Sequence, residues 1–194
     1  MERSDWNYLI LVNRENPLRR FPDADMLEPV LEEYPDVLME HRAARALRAL
    51  LEAIGNRGEI IPVSGFRTQA EQQKIWDDTL LERGEEFTRK FVAYPGCSEH
   101  QTGLAIDLGA NLPEIDFICP EFPDTGIFGK FREKAADFGF IERYPKGKEA
   151  VTGIGAEPWH FRYVGVPHAA VMKAGGLVLE EYAEERNAFG GGVK

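Results

Sequence analysis

The sequence predicts an α+β fold: a small, mostly antiparallel sheet flanked by helices. Stretches with apolar residues at helical spacing are interspersed with short runs that alternate or are continuously apolar. Several of the strand-like runs are joined by hairpin-like connections. The chain, at 194 residues, is long enough for one core without disulfide or metal staples.

Tyr8 to Val12 reads as a first strand, and residues 13–39, with Pro17, Pro22, Pro29 and Pro35, as a loop-rich wrapping segment with room for one short helix. From His41 to Ile54 the positions Ala43, Ala46, Leu47, Leu50, Leu51 and Ile54 repeat at helical spacing, and Gly55 is a natural stop. Ile60 to Val63 is strand-like. Thr68-Gln69-Ala70-Glu71 fits a capping box that opens a helix running to a stop near Gly84. Leu104 to Leu108 alternates large apolar with small or polar residues, so it predicts a strand with two unlike faces. Phe128 to Phe138 is helical, and Phe140 to Tyr144 with a strand near Val151 predicts a hairpin about Pro145–Lys148. Trp159 to Val164 alternates again, and helices fill Pro167–Lys173 and Leu177–Glu185.

Composition narrows the function. With 23 Lys and Arg against 33 Asp and Glu, the net charge of −10 opposes a nucleic-acid partner or docking on anionic lipid or wall polymer. No apolar run approaches the roughly 18–20 residues of a membrane helix, and Met1 to Asp5 lacks the pattern of a secretory signal. The two cysteines make no disulfide framework. A cytoplasmic protein is expected, one domain over residues 1–188 with a flexible Gly-rich tail at 189–194. Oligomeric state is left open.

The four histidines can be weighed individually. His100 stands in Ser98-Glu99-His100-Gln101-Thr102-Gly103-Leu104-Ala105-Ile106-Asp107, and His160 in Glu157-Pro158-Trp159-His160. Two imidazoles and one carboxylate form a ligand set for a catalytic zinc with one open position. On a strand Asp107 shares a face with Ala105 and Gly103, which keeps its surroundings small, while Leu104, Ile106 and Leu108 anchor the other face. Glu157 is out of phase with His160 on a regular strand, but Pro158 breaks that regularity and leaves Glu157 in a loop. The same residues also admit a structural reading: a hydrogen-bonded loop histidine and an Asp that caps a turn.

Ser98-x-His100-x-x-Gly103-x-Ala105-x-Asp107 followed by Glu157-x-Trp159-His160 resembles the paired signature of the zinc D,D-peptidases of the VanX, VanY and VanXY types. Ser64-Gly65-Phe66-Arg67-Thr68 with Gln72 is similar to the family's arginine-bearing segment. Phe91 to Cys97, Gly139-Phe140-Ile141, Arg143-Tyr144-Pro145 and Glu157 to Gly165 resemble the cytoplasmic VanXY proteins, as do Asn13 to Leu18 and Leu179 to Tyr182. The resemblance implies a Hedgehog-type peptidase fold and one Zn²⁺ held by His100, Asp107 and His160. It implies Glu157 as general base and then acid, and Arg67 as the group that meets the oxyanion. Ser98 and Gln72 are candidates for gripping the substrate, Ser98 at its terminal carboxylate. The implied substrate is a peptide ending in D-Ala-D-Ala, either the free dipeptide or the peptidoglycan precursor stem, as in vancomycin resistance.

One position departs from the VanXY pattern. That pattern has an acidic residue where this chain has Ser64, whereas VanY-like carboxypeptidases carry Ser-Gly-aromatic-Arg. An acid there would pair with the ammonium of a free dipeptide, so Ser64 favours carboxypeptidase over dipeptidase activity, unless its hydroxyl only forms a turn. Cys97 reads as an apolar filler, Cys119 as part of a separate Ile-Cys-Pro loop, His41 and His168 as helix-start residues, and Glu99 as an exposed loop acid, with a partner role toward His100 as its alternative. Two further functions stand beside the D,D-carboxypeptidase: an L,D-carboxypeptidase or wall endopeptidase on the same metal site, and a zinc-stabilised binding module without catalysis. Glu157 and Arg67 together oppose the last, because a structural zinc needs neither.

Overall fold

The computed structural model describes residues 6–189. Its centre is a four-stranded antiparallel sheet, with a two-stranded ribbon beside it. The ribbon pairs β1 (Leu27–Leu31) with β2 (Tyr34–Glu40). The sheet contains β3 (Ile60–Ser64), β4 (Ala105–Ala110), β5 (Phe140–Tyr144) and β6 (Glu157–Tyr163), in the order β3-β4-β6-β5. The helices are α1 (His41–Ala53), α2 (Gln69–Phe91), α3 (Gly126–Ala135), α4 (Glu149–Thr152), α5 (His168–Gly175) and α6 (Leu179–Phe189). The predicted α+β class with an antiparallel sheet is what forms.

The core lies between α1, α3 and one face of the sheet. Ala43, Ala44, Leu47 and Leu50 of α1 are fully buried there against Leu104, Ile106 and Leu108. Phe131 and Phe161 pack edge to face with centroids 4.8 Å apart, and Phe122 closes the same aromatic group. The alternation of β4 thus works as predicted: one face carries large apolar residues into the core, and the other carries Asp107. Thr68 caps α2 with the predicted reciprocal pair to Glu71. That helix does not stop at Gly84; the glycine adopts φ +80° and kinks it, and the helix continues to Phe91.

Three further predicted elements differ. Tyr8 to Val12 forms no strand, because its carbonyls are taken by a side chain: Arg162 Nη2 donates to Tyr8 O at 3.0 Å and to Ile10 O at 2.8 Å. Residues 27–40 form a hairpin despite Pro29 and Pro35, since a two-stranded ribbon consists of edges, where a missing N–H is tolerated. Arg48 of α1 donates to Pro29 O at 2.8 Å and pairs with Glu28, tying the ribbon to the core helix. Val151 lies in the short helix α4, so β5 takes β6 as its partner and the expected hairpin is absent. The predicted tail lies outside the described residues except for Phe189, which ends α6. Among the described residues no helix is long and apolar enough to cross a membrane.

Candidate active site

Asp107 sits near the middle of β4, opposite His160 on β6 and Ser64 on β3. His100 arrives from a short 3₁₀ turn over Glu99–Thr102, which ends at Gly103 in the left-handed conformation, φ +72°. A side chain at Gly103 would meet Leu27 Cδ2 at 2.9 Å and Glu40 N at 3.2 Å, so this return of the chain requires glycine.

The two imidazoles converge on one carboxylate. His100 Nε2 lies 3.0 Å from Asp107 Oδ2, and His160 Nδ1 lies 2.8 Å from Asp107 Oδ1. The ligand atoms of all three fall within 4.8 Å of one another, and all three residues are buried. The other ring nitrogens point away from this centre. His100 Nδ1 donates to the Gly65 carbonyl at 2.7 Å, and His160 Nε2 faces Glu99 Oε2 at 3.6 Å. A compact imidazole–imidazole–carboxylate set with outward nitrogens directed at oxygen acceptors fits a zinc ion. Cys97 is half-buried and not part of this group among the described residues.

Glu157 is the first residue of β6 and not a loop residue, which corrects the expectation built on Pro158 alone. The β5–β6 register slips between Glu142 and Tyr144, beside the pair Tyr144 and Glu157. At that irregularity Glu157, three residues before His160, comes to the same side: its Oε2 lies 3.8 Å from His160 Nδ1. Both line a narrow cavity of about 30 Å³, together with Arg67, Ser98 and Tyr144. Wider clefts flank it. One, of about 780 Å³, runs between α2 and residues 110–121 and shares Ile118 with the narrow cavity. The other, of about 630 Å³, shares Ala93, Tyr144 and Ile154.

Arg67 is fixed from three sides. Its Nε donates to Ser64 Oγ at 2.8 Å, Nη1 to Gln72 Oε1 at 3.3 Å and Nη2 to Asp107 Oδ2 at 2.8 Å. A guanidinium has five N–H groups, so these three bonds leave one on each Nη for a ligand. Gln72 is fully buried, and its Nε2 donates to Ala93 O at 2.8 Å. Ser64 and Gln72 therefore hold Arg67, whereas the sequence placed both with the substrate. Their polar atoms are engaged inside the protein, and neither residue lines the narrow cavity. Ser98 does line it.

Charge in the site is uneven. Burial pushes Glu157 up to about 8, His160 and Arg67 opposing the rise and Asp107 and Glu99 adding to it. Burial and the Arg67 charge bring His100 down to about 4. For His160, burial is outweighed by the hydrogen bond to Asp107 and the nearby Glu99 carboxylate, and the ring is raised to about 9. Burial would also raise Asp107, but the two imidazoles hold it well below the usual carboxylate range.

Sequence reasoning missed Glu99. It is 2% exposed, not a solvated loop acid. Arg143 Nε and Arg162 Nη1 each approach its Oε1 at 2.8 Å. Burial alone would raise its carboxyl, yet these two guanidinium groups hold it below the usual range. Arg143 and Arg162, each inside a strand-like run, were the available signal, because a charge that such a run carries inward needs a partner.

Residues 36–166 match the VanY family, described as D-alanyl-D-alanine carboxypeptidase. The chain belongs to the VanY family. It is 43% identical over 177 residues to the bifunctional D-Ala-D-Ala dipeptidase and D-Ala-D-Ala carboxypeptidase VanXYC of Enterococcus gallinarum, spanning 91% of this chain and 93% of that one. The structure of the vancomycin-resistance D,D-dipeptidase VanXYg in complex with a D-Ala-D-Ala phosphinate analog superposes with a TM-score of 0.92 at 49% identity, covering 94% of this chain and 72% of that one. A VanY D,D-pentapeptidase variant from a VanB-type resistance cassette, solved in complex with Zn(II), gives a TM-score of 0.73 at 34% identity over 92% of this chain and 99% of that one. This VanY-family protein is thus a peptidase with the fold of VanXYg and VanY, and its His100, Asp107 and His160 form a possible site for the metal that VanY was solved with.

Proposed function

We propose that the protein is a zinc-dependent D,D-carboxypeptidase that removes the terminal D-Ala from peptidoglycan precursor peptides ending in D-Ala-D-Ala, with hydrolysis of the free dipeptide as a second activity. The observation that carries this reading is the convergence of His100, Asp107 and His160 beside Glu157 and Arg67 around one narrow cavity. A structural metal would need neither of the last two groups.

In this reading His100, Asp107 and His160 hold one zinc ion. Bound there, zinc supplies Lewis-acid polarisation of the scissile carbonyl and makes water a better nucleophile at neutral pH. Glu157 takes the proton from the attacking water and passes it to the departing amine of the terminal D-Ala. Its raised affinity for a proton suits it to carry one between those steps. The spare N–H groups of Arg67 meet the negative charge that develops on the carbonyl oxygen. Ser98, at the cavity wall, binds the terminal carboxylate. The wide clefts on either side give a stem peptide room to run out of the site, which the narrow cavity alone lacks. Action in the cytoplasm belongs to the same proposal, with cell fractionation as its check.

Product analysis with D-Ala-D-Ala and with a stem pentapeptide, each against an L-Ala-terminated control, tests the reading. Release of D-Ala from the D-terminated peptides alone is expected. Equal cleavage of the L-terminated control, or cleavage only of an L,D bond, would overturn it.

A further inference from the structure

Glu99 and His160 present each other with the two polar atoms they have left. Among the described residues, Glu99 Oε2 and His160 Nε2 are both buried without a hydrogen-bond partner, and they face each other at 3.6 Å. The opposite oxygen of Glu99 is committed, since Arg143 Nε and Arg162 Nη1 both converge on Oε1 at 2.8 Å. Neither guanidinium is loose. Arg143 is gripped by both oxygens of Glu180 on α6, at 2.8 and 2.6 Å, and Arg162 by the carbonyls of Tyr8 and Ile10. The carboxylate is therefore oriented from behind, with one oxygen aimed at the back of an imidazole whose front faces Asp107.

We propose that Glu99 is a positioning residue that accepts the Nε2 proton of His160 and thereby keeps the Nδ1 lone pair available for the metal. The inference rests on the assignment of His160 as a zinc ligand. An imidazole offers a metal only its unprotonated nitrogen, so an acceptor behind the ring selects the tautomer that binds. Arg143, Arg162 and Glu180 extend this control, so that the C-terminal helix and the N-terminal segment both contribute to aiming one ring nitrogen.

Glu99→Gln tests the proposal sharply. Both arginines are pure donors and hold an oxygen at the Oε1 position. The new amide must then turn its NH₂ toward His160 Nε2, donating where the carboxylate accepted and driving the proton to Nδ1. Zinc affinity, measured by competition with a chromophoric chelator, is expected to fall by about 10–100-fold. Nitrogen-15 NMR of the zinc-loaded natural protein should show His160 protonated at Nε2, a result that needs no variant to fold. Wild-type zinc affinity in a folded Glu99→Gln protein, or a bare Nε2 in the natural holoenzyme, would overturn the proposal. His160→Ala separates the two readings: full zinc retention there sinks the ligand assignment itself, while zinc loss there with unchanged affinity in Glu99→Gln sinks only the role of Glu99.

Discussion

Arg67 Nη2 and the Oδ2 atom of Asp107 are 2.8 Å apart, so the carboxylate that anchors the guanidinium is the one assigned to the proposed zinc site. The same oxygen is 3.0 Å from His100 Nε2. In the proposed site, metal binding and the aim of Arg67 meet at that atom, which shapes what each substitution should do.

Removing a ligand should remove the metal. His100→Ala and Asp107→Ala proteins are expected to carry little zinc by elemental analysis and to show no hydrolysis. Cys97→Ser should keep both zinc and rate, because Cys97 lies outside the ligand group. Zinc loss in the Cys97 variant would contradict the assigned set.

Glu157→Ala should separate catalysis from metal binding. Zinc content and fold should persist while turnover drops by about 10²–10⁴-fold, the usual contribution of a positioned acid-base group. A near-native rate in zinc-loaded Glu157→Ala would remove Glu157 from the mechanism.

Stability after chelation should carry the signature of the same residue. The folded value of Glu157, about 8, lies above its ordinary 4.5, so the folded state binds the extra proton between those values. Its contribution to stability is intact below about pH 4.5 and declines as pH rises toward 8. Glu157→Gln lacks that decline. Thermal melts of chelated protein at pH 5 and pH 8 should show the variant gaining on the natural protein at the higher pH, and parallel shifts would refute this.

Arg67 and its holders should differ in degree. Arg67→Ala is expected to keep zinc and lose turnover, with KM changed little if the guanidinium meets the oxyanion. Ser64→Ala removes the acceptor for Arg67 Nε and should lose a smaller part of the same turnover, on the order of one hydrogen bond, about 1 kcal/mol. A rise confined to KM in both would place Arg67 on the ground-state carboxylate instead.

Gly103→Ala should destabilise the fold. The positive φ alone costs about 1–2 kcal/mol for an L side chain, and the added methyl would press on Leu27 Cδ2 and the Glu40 amide. A lower denaturant midpoint at constant slope is the expected result.

Local chemistry was legible in the sequence where a residue's role depends on its neighbours in the chain. Thr68 with Glu71, the apolar repeat of α1 and the two faces of β4 are of this kind, and so is the His100–Asp107 spacing that delivers both residues to one point. Readings failed where the partner lay far away. Tyr8 to Val12 has the composition of a strand, but its carbonyls go to Arg162. Ser64 and Gln72 are local to Arg67, yet Arg67 is held at Asp107 and Gln72 at Ala93, both distant in the chain. Glu99 looked solvated because nothing beside it announces Arg143 and Arg162.

Asp107 and His160 occupy the two inner strands of the sheet, directly opposite each other. The flanking clefts draw much of their lining from connecting stretches at residues 112–121 and 11–16. Such stretches tolerate replacement far better than paired strands do. If the proposed peptide path runs through these clefts, exchanging the 111–121 stretch for a relative's should change peptide preference and leave the paired strands that carry Asp107 and His160 in register.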